Sequence, residues 1–225
     1  MAAPRIALIH ALPDSVEPAN TAFAELWPEA FRFNLLDDAL ARDLAAAGAI
    51  DMQINSRIID LSRYALAAGA NGILYTCSAF GQSIKAAALL APVPVLRPNE
   101  AAVDAALDAG PRIALLATFL PTVGLMKAEV EQRAQERKLS PTIEARHVPG
   151  ALEALQSGRA DEHDALIAKA AAELPAVDSV VLAQFSMTRA ARAIQPVDGR
   201  RVITTPGSAI TKLKGLLAAK PAAAE

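Results

Sequence analysis

The chain has 225 residues, of which 53% are hydrophobic and 20% charged, and its net charge is −2. That composition fits a compact globular protein rather than a disordered one. The near-balanced charge gives no electrostatic case for a nucleic-acid partner or an anionic membrane surface. No apolar stretch is long enough to span a bilayer, and a single cysteine rules out an internal disulfide, so a cytoplasmic location is the expectation.

In chain order, the first apolar run, residues 6–9, is too short for the core of a signal peptide. It reads as a strand that ends at His10. Asp14, Ser15 and Asn20 follow it closely and fall at the rim of any site built at that strand end. Helical spacing covers 21–26 and 57–68. A second apolar run, 73–75, leads into Thr76-Cys77-Ser78-Ala79-Phe80-Gly81, and a helix follows over 82–90. Strand-like runs then recur at 93–96, 113–116, 180–183 and 202–204, separated by helical segments at 100–107, 125–137, 164–172 and 187–194. His147 and His163 fall in predicted loops or helix starts and read as surface residues. The tail, 218–225, is alanine-rich and expected to fray. Short, wholly apolar strands alternating with longer amphipathic helices predict an α/β protein whose parallel sheets are covered on both faces.

The second half repeats the first. Arg5-Ile6-Ala7-Leu8-Ile9-His10-Ala11 matches Arg112-Ile113-Ala114-Leu115-Leu116-Ala117-Thr118, an offset of 107 (112 − 5). Val95-Leu96-Arg97-Pro98 matches Ile203-Thr204-Thr205-Pro206 at 108 (206 − 98). Between them, Ile73-Leu74-Tyr75-Thr76-Cys77-Ser78 matches Val181-Leu182-Ala183-Gln184-Phe185-Ser186, also at 108 (181 − 73). The expectation is two pseudo-symmetric lobes: residues 1–98 plus 207–225 with a C-terminal helix, and residues 99–206. Each is a mostly parallel sheet flanked by helices. Ligands of such sheets bind beyond the carboxyl ends of the strands, so the active site is expected in a cleft between the lobes, with Cys77 and Phe185 at equivalent positions.

Cys77 is the leading catalytic candidate. A thiol at a strand-to-helix junction sits near unpaired N–H groups and the positive end of a helix dipole. Both are expected to lower its pKa and favour the thiolate. Thr76 and Ser78 flank it with hydroxyls, and Ala79, Phe80 and Gly81 supply backbone N–H groups suited to a carboxylate or an enediolate. Ser78 also reads as a helix N-cap, as do Thr118 and Thr122 for the helix at 123–137. His10, at a strand end, is a second acid/base or carboxylate partner facing the same cleft. Ser186, Thr204 and Thr205 end second-lobe segments and are weaker candidates. No phosphate-binding, dinucleotide, zinc-protease or serine-hydrolase motif is present, and three scattered histidines with one cysteine do not make a metal site.

Two pseudo-symmetric lobes, a Thr-Cys-Ser segment after a first-lobe strand and Ala117-Thr118-Phe119-Leu120-Pro121-Thr122 after the first strand of the second lobe together resemble the aspartate/glutamate (hydantoin) racemase superfamily. That group also holds maleate isomerase and arylmalonate decarboxylase. The resemblance implies a cofactor-independent isomerase or lyase, often dimeric, whose lobes clamp a small carboxylate. It implies one cysteine from each lobe beside the substrate carbon, one removing a proton and the other delivering one. Cys77 matches the first of these. The second falls on Phe185, which cannot carry a proton, so two-thiol racemisation is in doubt. Arylmalonate decarboxylase resembles the mirror case, with a single second-lobe cysteine. Thr118 and Thr122 match positions that hold the substrate carboxylate. Phe185 and Ser186 are expected to line the substrate site, Phe185 as an apolar wall. Cys77 is then a proton-transfer group, or, as the alternatives, a covalent nucleophile of the maleate isomerase kind or the remnant thiol of a non-catalytic binding relative.

Overall fold

The computed structural model describes residues 3–219. The tail from Lys220 onward, expected to fray, lies outside the described residues. Contacts divide the chain into two compact units, with boundaries at Pro98/Asn99 and Ser208/Ala209.

The first unit holds β1 (Arg5–His10), α1 (Val16–Leu26), β2 (Phe31–Leu36), α2 (Leu40–Ala47), α3 (Met52–Ala67), β3 (Gly72–Tyr75), α4 (Gly81–Leu90) and β4 (Val95–Leu96). The second holds α5 (Glu100–Ala109), β5 (Arg112–Ala117), α6 (Leu120–Glu136), β6 (Thr142–His147), α7 (Ala151–Gln156), α8 (Ala160–Ala172), β7 (Ser179–Leu182) and β8 (Arg201–Thr204). The last helix, α9 (Thr205–Ala219), runs across the second boundary. The sheets are ordered β2-β1-β3-β4 and β6-β5-β7-β8, and every pairing is parallel.

The two topologies are identical, and sequence dictates their centres. β1 and β5 lie between two neighbours and are buried from their second residue onward. In the first unit Ala7, Ile9, Ile73 and Tyr75 pack on Ile54, Ile58 and Ile84 of the covering helices. In the second, Ile113 and Leu115 pack on α5 and α6 through Val103, Met126 and Val130. Ala114, Leu116, Val180 and Leu182 pack on α7 and α8. Each fully buried aliphatic side chain contributes about 1.5–3 kcal/mol. The edge strands β2 and β6 have one neighbour each and mixed polar sequences, so apolar runs did not reveal them. β4 is shorter than the 93–96 run, because Pro94 has no N–H to give the ladder. Most of the 187–194 segment, expected as an α-helix, falls in a 3-10 helix, Phe185–Arg192, that ends before Ala193.

At the amino ends of the strands the units carry related clamps. Asn71 Oδ1 accepts from the Arg5 backbone N–H at 2.7 Å, and Asp178 Oδ2 accepts from the Arg112 N–H at 2.8 Å. Arg112 adds a guanidinium bond to Asp178, which holds that carboxyl below the usual carboxylate range. Asp178 also fills the space where a Cβ on Gly110 would lie, 2.5 Å from its Oδ2, and Gly110 has φ +151. His163 is not a surface residue. It is fully buried in α8, where its Nδ1 lies 2.8 Å from Asp164 Oδ1, and Asp164 also receives Arg189. Among the described residues no helix is long and apolar enough to cross a membrane, and no group of three or more His, Cys, Asp or Glu side chains is placed to hold a metal ion.

Candidate active site

In the first unit β1 and β3 end side by side, and the Thr76 N–H extends their ladder by donating to Ile9 O at 3.0 Å. Tyr75 fixes this end from below. Its O–H donates to Ile58 O at 2.7 Å, which leaves Ser62 to donate to the phenol oxygen, also at 2.7 Å. Burial pushes the Tyr75 phenol up to about 12, so it stays a neutral hydrogen-bonded anchor.

Cys77 follows in extended conformation (φ −119, ψ 122) and opens a 3-10 turn, Ser78–Phe80, that runs into α4. Its sulfur is half-buried, packs against the core and accepts from the Ala79 N–H. The expected depression of its pKa is reversed: burial pushes the thiol up, and the Ala79 N–H only partly offsets this. The reason is local. The α-helix begins at Gly81, so a three-residue turn separates the sulfur from the helix terminus, and desolvation outweighs one amide. Ser78 is half-buried inside the turn and caps nothing. Cys77 holds the cap position of the turn, and Phe80 holds that of α4.

His10 turns its ring into a hydrogen-bond network. It is 1% exposed, and its ring is held at both nitrogens. Nε2 lies 3.0 Å from Asn34 Oδ1, while Nδ1 lies 2.9 Å from both Ser15 Oγ and Thr76 Oγ1. Nε2–H therefore donates to Asn34, and Nδ1 accepts a hydroxyl proton. Ser15 Oγ reaches Leu12 O at 2.8 Å, so Thr76 is the natural donor to the ring. Burial lowers the His10 pKa, with Asn34 opposing, which keeps the imidazole neutral. His10 thus positions Thr76, the residue before Cys77. Asn20 completes the network by donating to Asn34 Oδ1 at 3.1 Å, while Asp14 is exposed.

The second unit ends its strands in the same way, the Ala183 N–H donating to Leu116 O at 2.9 Å. The ladders correct one expectation. Ile9 pairs with Tyr75, and Leu116 pairs with Leu182. Two residues beyond each partner stand Cys77 and Gln184. The counterpart of Cys77 is therefore Gln184, not Phe185. The backbone agrees: Gln184 is extended (φ −136, ψ 147) and opens a 3-10 segment, as Cys77 does. Phe185 matches Ser78 and is only 7% exposed.

Gln184 Oε1 accepts three hydrogen bonds. They come from Thr118 N at 2.7 Å, Thr118 Oγ1 at 3.0 Å and Phe119 N at 3.2 Å. Thr118 is buried, and its carbonyl accepts from His147 Nε2 at 3.1 Å, so His147 braces the loop from the end of β6. Neither Thr118 nor Thr122 caps α6: Phe119 holds that position, and Thr122 is half-buried in the first turn, its N–H bonded to Phe119 O. Ser186 is half-buried within the 3-10 segment. Thr204 Oγ1 accepts from the Gly207 N–H at 3.2 Å at the start of α9, and Thr205 is buried. Sequence reading missed Gln184, Asn34 and the bracing role of His147. A polar residue directly after a wholly apolar strand was the available signal for Gln184.

Fold and strand-end chemistry together define an α/β protein of duplicated parallel sheets with a thiol at the end of one of them. A sequence profile of the Asp/Glu/Hydantoin racemase family matches residues 18–213, and the chain belongs to that family. It is thereby an enzyme of the racemase superfamily. Its fold is shared with an aspartate racemase homologue from Pyrococcus horikoshii (15% identity, TM-score 0.66, covering 97% of this chain and 100% of the other). Allantoin racemase from Klebsiella pneumoniae is similar as well (19%, 0.66, 96% and 88%), as is unliganded arylmalonate decarboxylase (15%, 0.63, 97% and 97%). No curated protein matches the chain in sequence.

Proposed function

We propose that the chain is a cofactor-independent isomerase or lyase that transfers a proton at the carbon next to the carboxylate of a small substrate, with Cys77 as the transferring group. The observation that carries this reading is the half-buried Cys77 thiol at the end of β3, between the hydroxyl residues Thr76 and Ser78 and in contact with the Ala79 N–H. N–H and O–H donors stabilise the negative charge that develops when a carbon beside a carboxylate becomes carbanionic.

Burial favours the neutral thiol, so the resting site holds a proton to give. If a carboxyl group leaves as carbon dioxide, its bonding electron pair stays on carbon and spreads into the remaining carboxylate as an enediolate. Cys77 S–H then protonates that carbon and recovers its proton from solvent. In the isomerase form the thiol loses its proton to water as substrate binds, and the thiolate then takes the substrate's proton and returns it. Gln184 stands at the counterpart position, and an amide neither gives nor takes a proton near neutral pH, which supports single-thiol chemistry. A covalent nucleophile would also need the thiolate, whereas burial favours the thiol that donates a proton.

The test is a panel of small dicarboxylates, amino acids, hydantoins and substituted malonates in deuterated water, followed by NMR with wild type and Cys77→Ala. Deuterium incorporation, isomerisation or decarboxylation that disappears in Cys77→Ala is expected. Undiminished turnover by Cys77→Ala would sink the reading. A stable adduct at Cys77, seen by intact mass, would replace proton transfer with nucleophilic addition, and ligand binding without turnover would mark a non-catalytic relative.

A further inference from the structure

Gln184 is held in an unusual way for a side chain at a strand end. Three donors converge on its one oxygen: two backbone N–H groups and the Thr118 hydroxyl. Backbone N–H groups only donate, so the oxygen and not the nitrogen occupies this nest, and the orientation of the amide is fixed. The side chain is half-buried, and among the described residues its three hydrogen bonds all run through the oxygen, none through Nε2. A locked amide oxygen therefore aims an unengaged NH2 group, with two donors, away from the nest. This occurs where the first unit has Cys77.

We infer that Gln184 is a substrate-binding residue whose Nε2 donates to a carboxylate or enediolate oxygen, its oxygen remaining in the Thr118–Phe119 nest. The inference rests on the carboxylate reading above and assigns the second unit, taken by itself, a group that would recognise such an anion. In this arrangement Thr118 and Phe119 do not touch substrate. They are positioning residues that spend their donors on Gln184. The amide is neutral, so it stabilises an oxyanion without changing its own protonation, and the specificity it confers is for a substrate with an acceptor oxygen there.

Gln184→Glu gives a clean test. It keeps an oxygen for the nest and replaces only the NH2 group with a charged oxygen. Malonate serves as the probe, with binding followed by amide NMR on the full chain. In wild type, the Gln184 side-chain NH2 resonances, assigned by their absence in the variant, shift with malonate while the Thr118 and Phe119 backbone amides keep their positions. Gln184→Glu binds malonate about tenfold or more weakly and retains the wild-type thermal midpoint. Movement of the Thr118 and Phe119 amides on binding would make Gln184 a displaceable plug and overturn the inference. So would shifts at Ser78 and Ala79 with none at Gln184, an outcome that leaves the Cys77 reading standing. Equal malonate affinity in Gln184→Glu also overturns it. No shift at any of these groups overturns the inference and the carboxylate reading together.

Discussion

The two units build one topology and finish it differently. In the first, the residue that ends the central strand is His10, the next strand runs on into Thr76, and Cys77 follows. In the second, the same places hold Ala117, Ala183 and Gln184. The first unit therefore backs its cysteine with a buried histidine whose ring bonds exposed Asn34 and the half-buried hydroxyls of Ser15 and Thr76. The second uses a threonine, a histidine and backbone N–H groups to orient an amide. The difference teaches that a duplicated scaffold fixes where a side chain stands, while the residues one layer below decide what it can do. One end holds a thiol whose pKa burial raises, and the other an amide whose oxygen three donors fix.

The comparison breaks most sharply at the thiol. Cys77→Ala is expected to lower proton exchange or turnover by roughly 10²–10⁴-fold, the usual contribution of a positioned acid/base group. An effect of that size on the rate step at Gln184 instead would reverse the assignment of roles.

Next in size is the buried support. His10→Ala gives the first unit the alanine that the second already has, but leaves Ser15, Asn34 and Thr76 without the ring they bond. A loss of about 2–4 kcal/mol in denaturant unfolding is expected. The pH dependence follows from the lowered pKa. The folded state resists protonating His10, whereas the unfolded chain binds that proton near 6.5. Stability is therefore fully present above about pH 6.5 and declines as pH falls below it. The wild type should lose more stability between pH 7 and 5 than His10→Ala does.

A smaller effect is expected at the opposite strand ends. Ala3 and Gly110 each stand two residues before the clamp arginine, Arg5 or Arg112. Alanine is native in the first unit, yet at Gly110 it would meet Asp178 in a left-handed backbone region. Gly110→Ala should cost about 1–3 kcal/mol by thermal unfolding, and a neutral result would show that the Asp178 clamp is loose. Asp178→Asn makes the second clamp resemble the first. Since Arg112 holds the Asp178 pKa down, the carboxylate's stabilisation is present above the unfolded value near 3.9 and fades as pH falls through the lower folded value. The gap in thermal midpoint between wild type and Asp178→Asn should therefore close in acid.

The central strands were legible because burial on both faces leaves a wholly apolar signature. β2 and β6 were not, since an edge strand with mixed residues such as Arg32 and Asn34 or Glu144 and Arg146 looks like a loop. The duplication was legible too, but not its register in the 180s. Matching Ser78 with Ser186 by identity slipped the count by one residue, and a slip of one in a strand changes which side chain stands at a given place. Hydrogen bonding put it right, through Leu116 and Leu182. The thiol's position was readable from sequence, whereas its acidity was not, because the turn that separates Cys77 from α4 is a matter of backbone geometry.

The half-burial of Cys77 has a consequence for how such a protein ages. Oxidants attack thiolates far faster than thiols, and a sulfenic acid is normally rescued by a neighbouring cysteine that closes a disulfide. This chain contains no second cysteine. The desolvation that favours the protonated sulfur thus also shelters it, holding a group with no internal repair partner in its least oxidisable form.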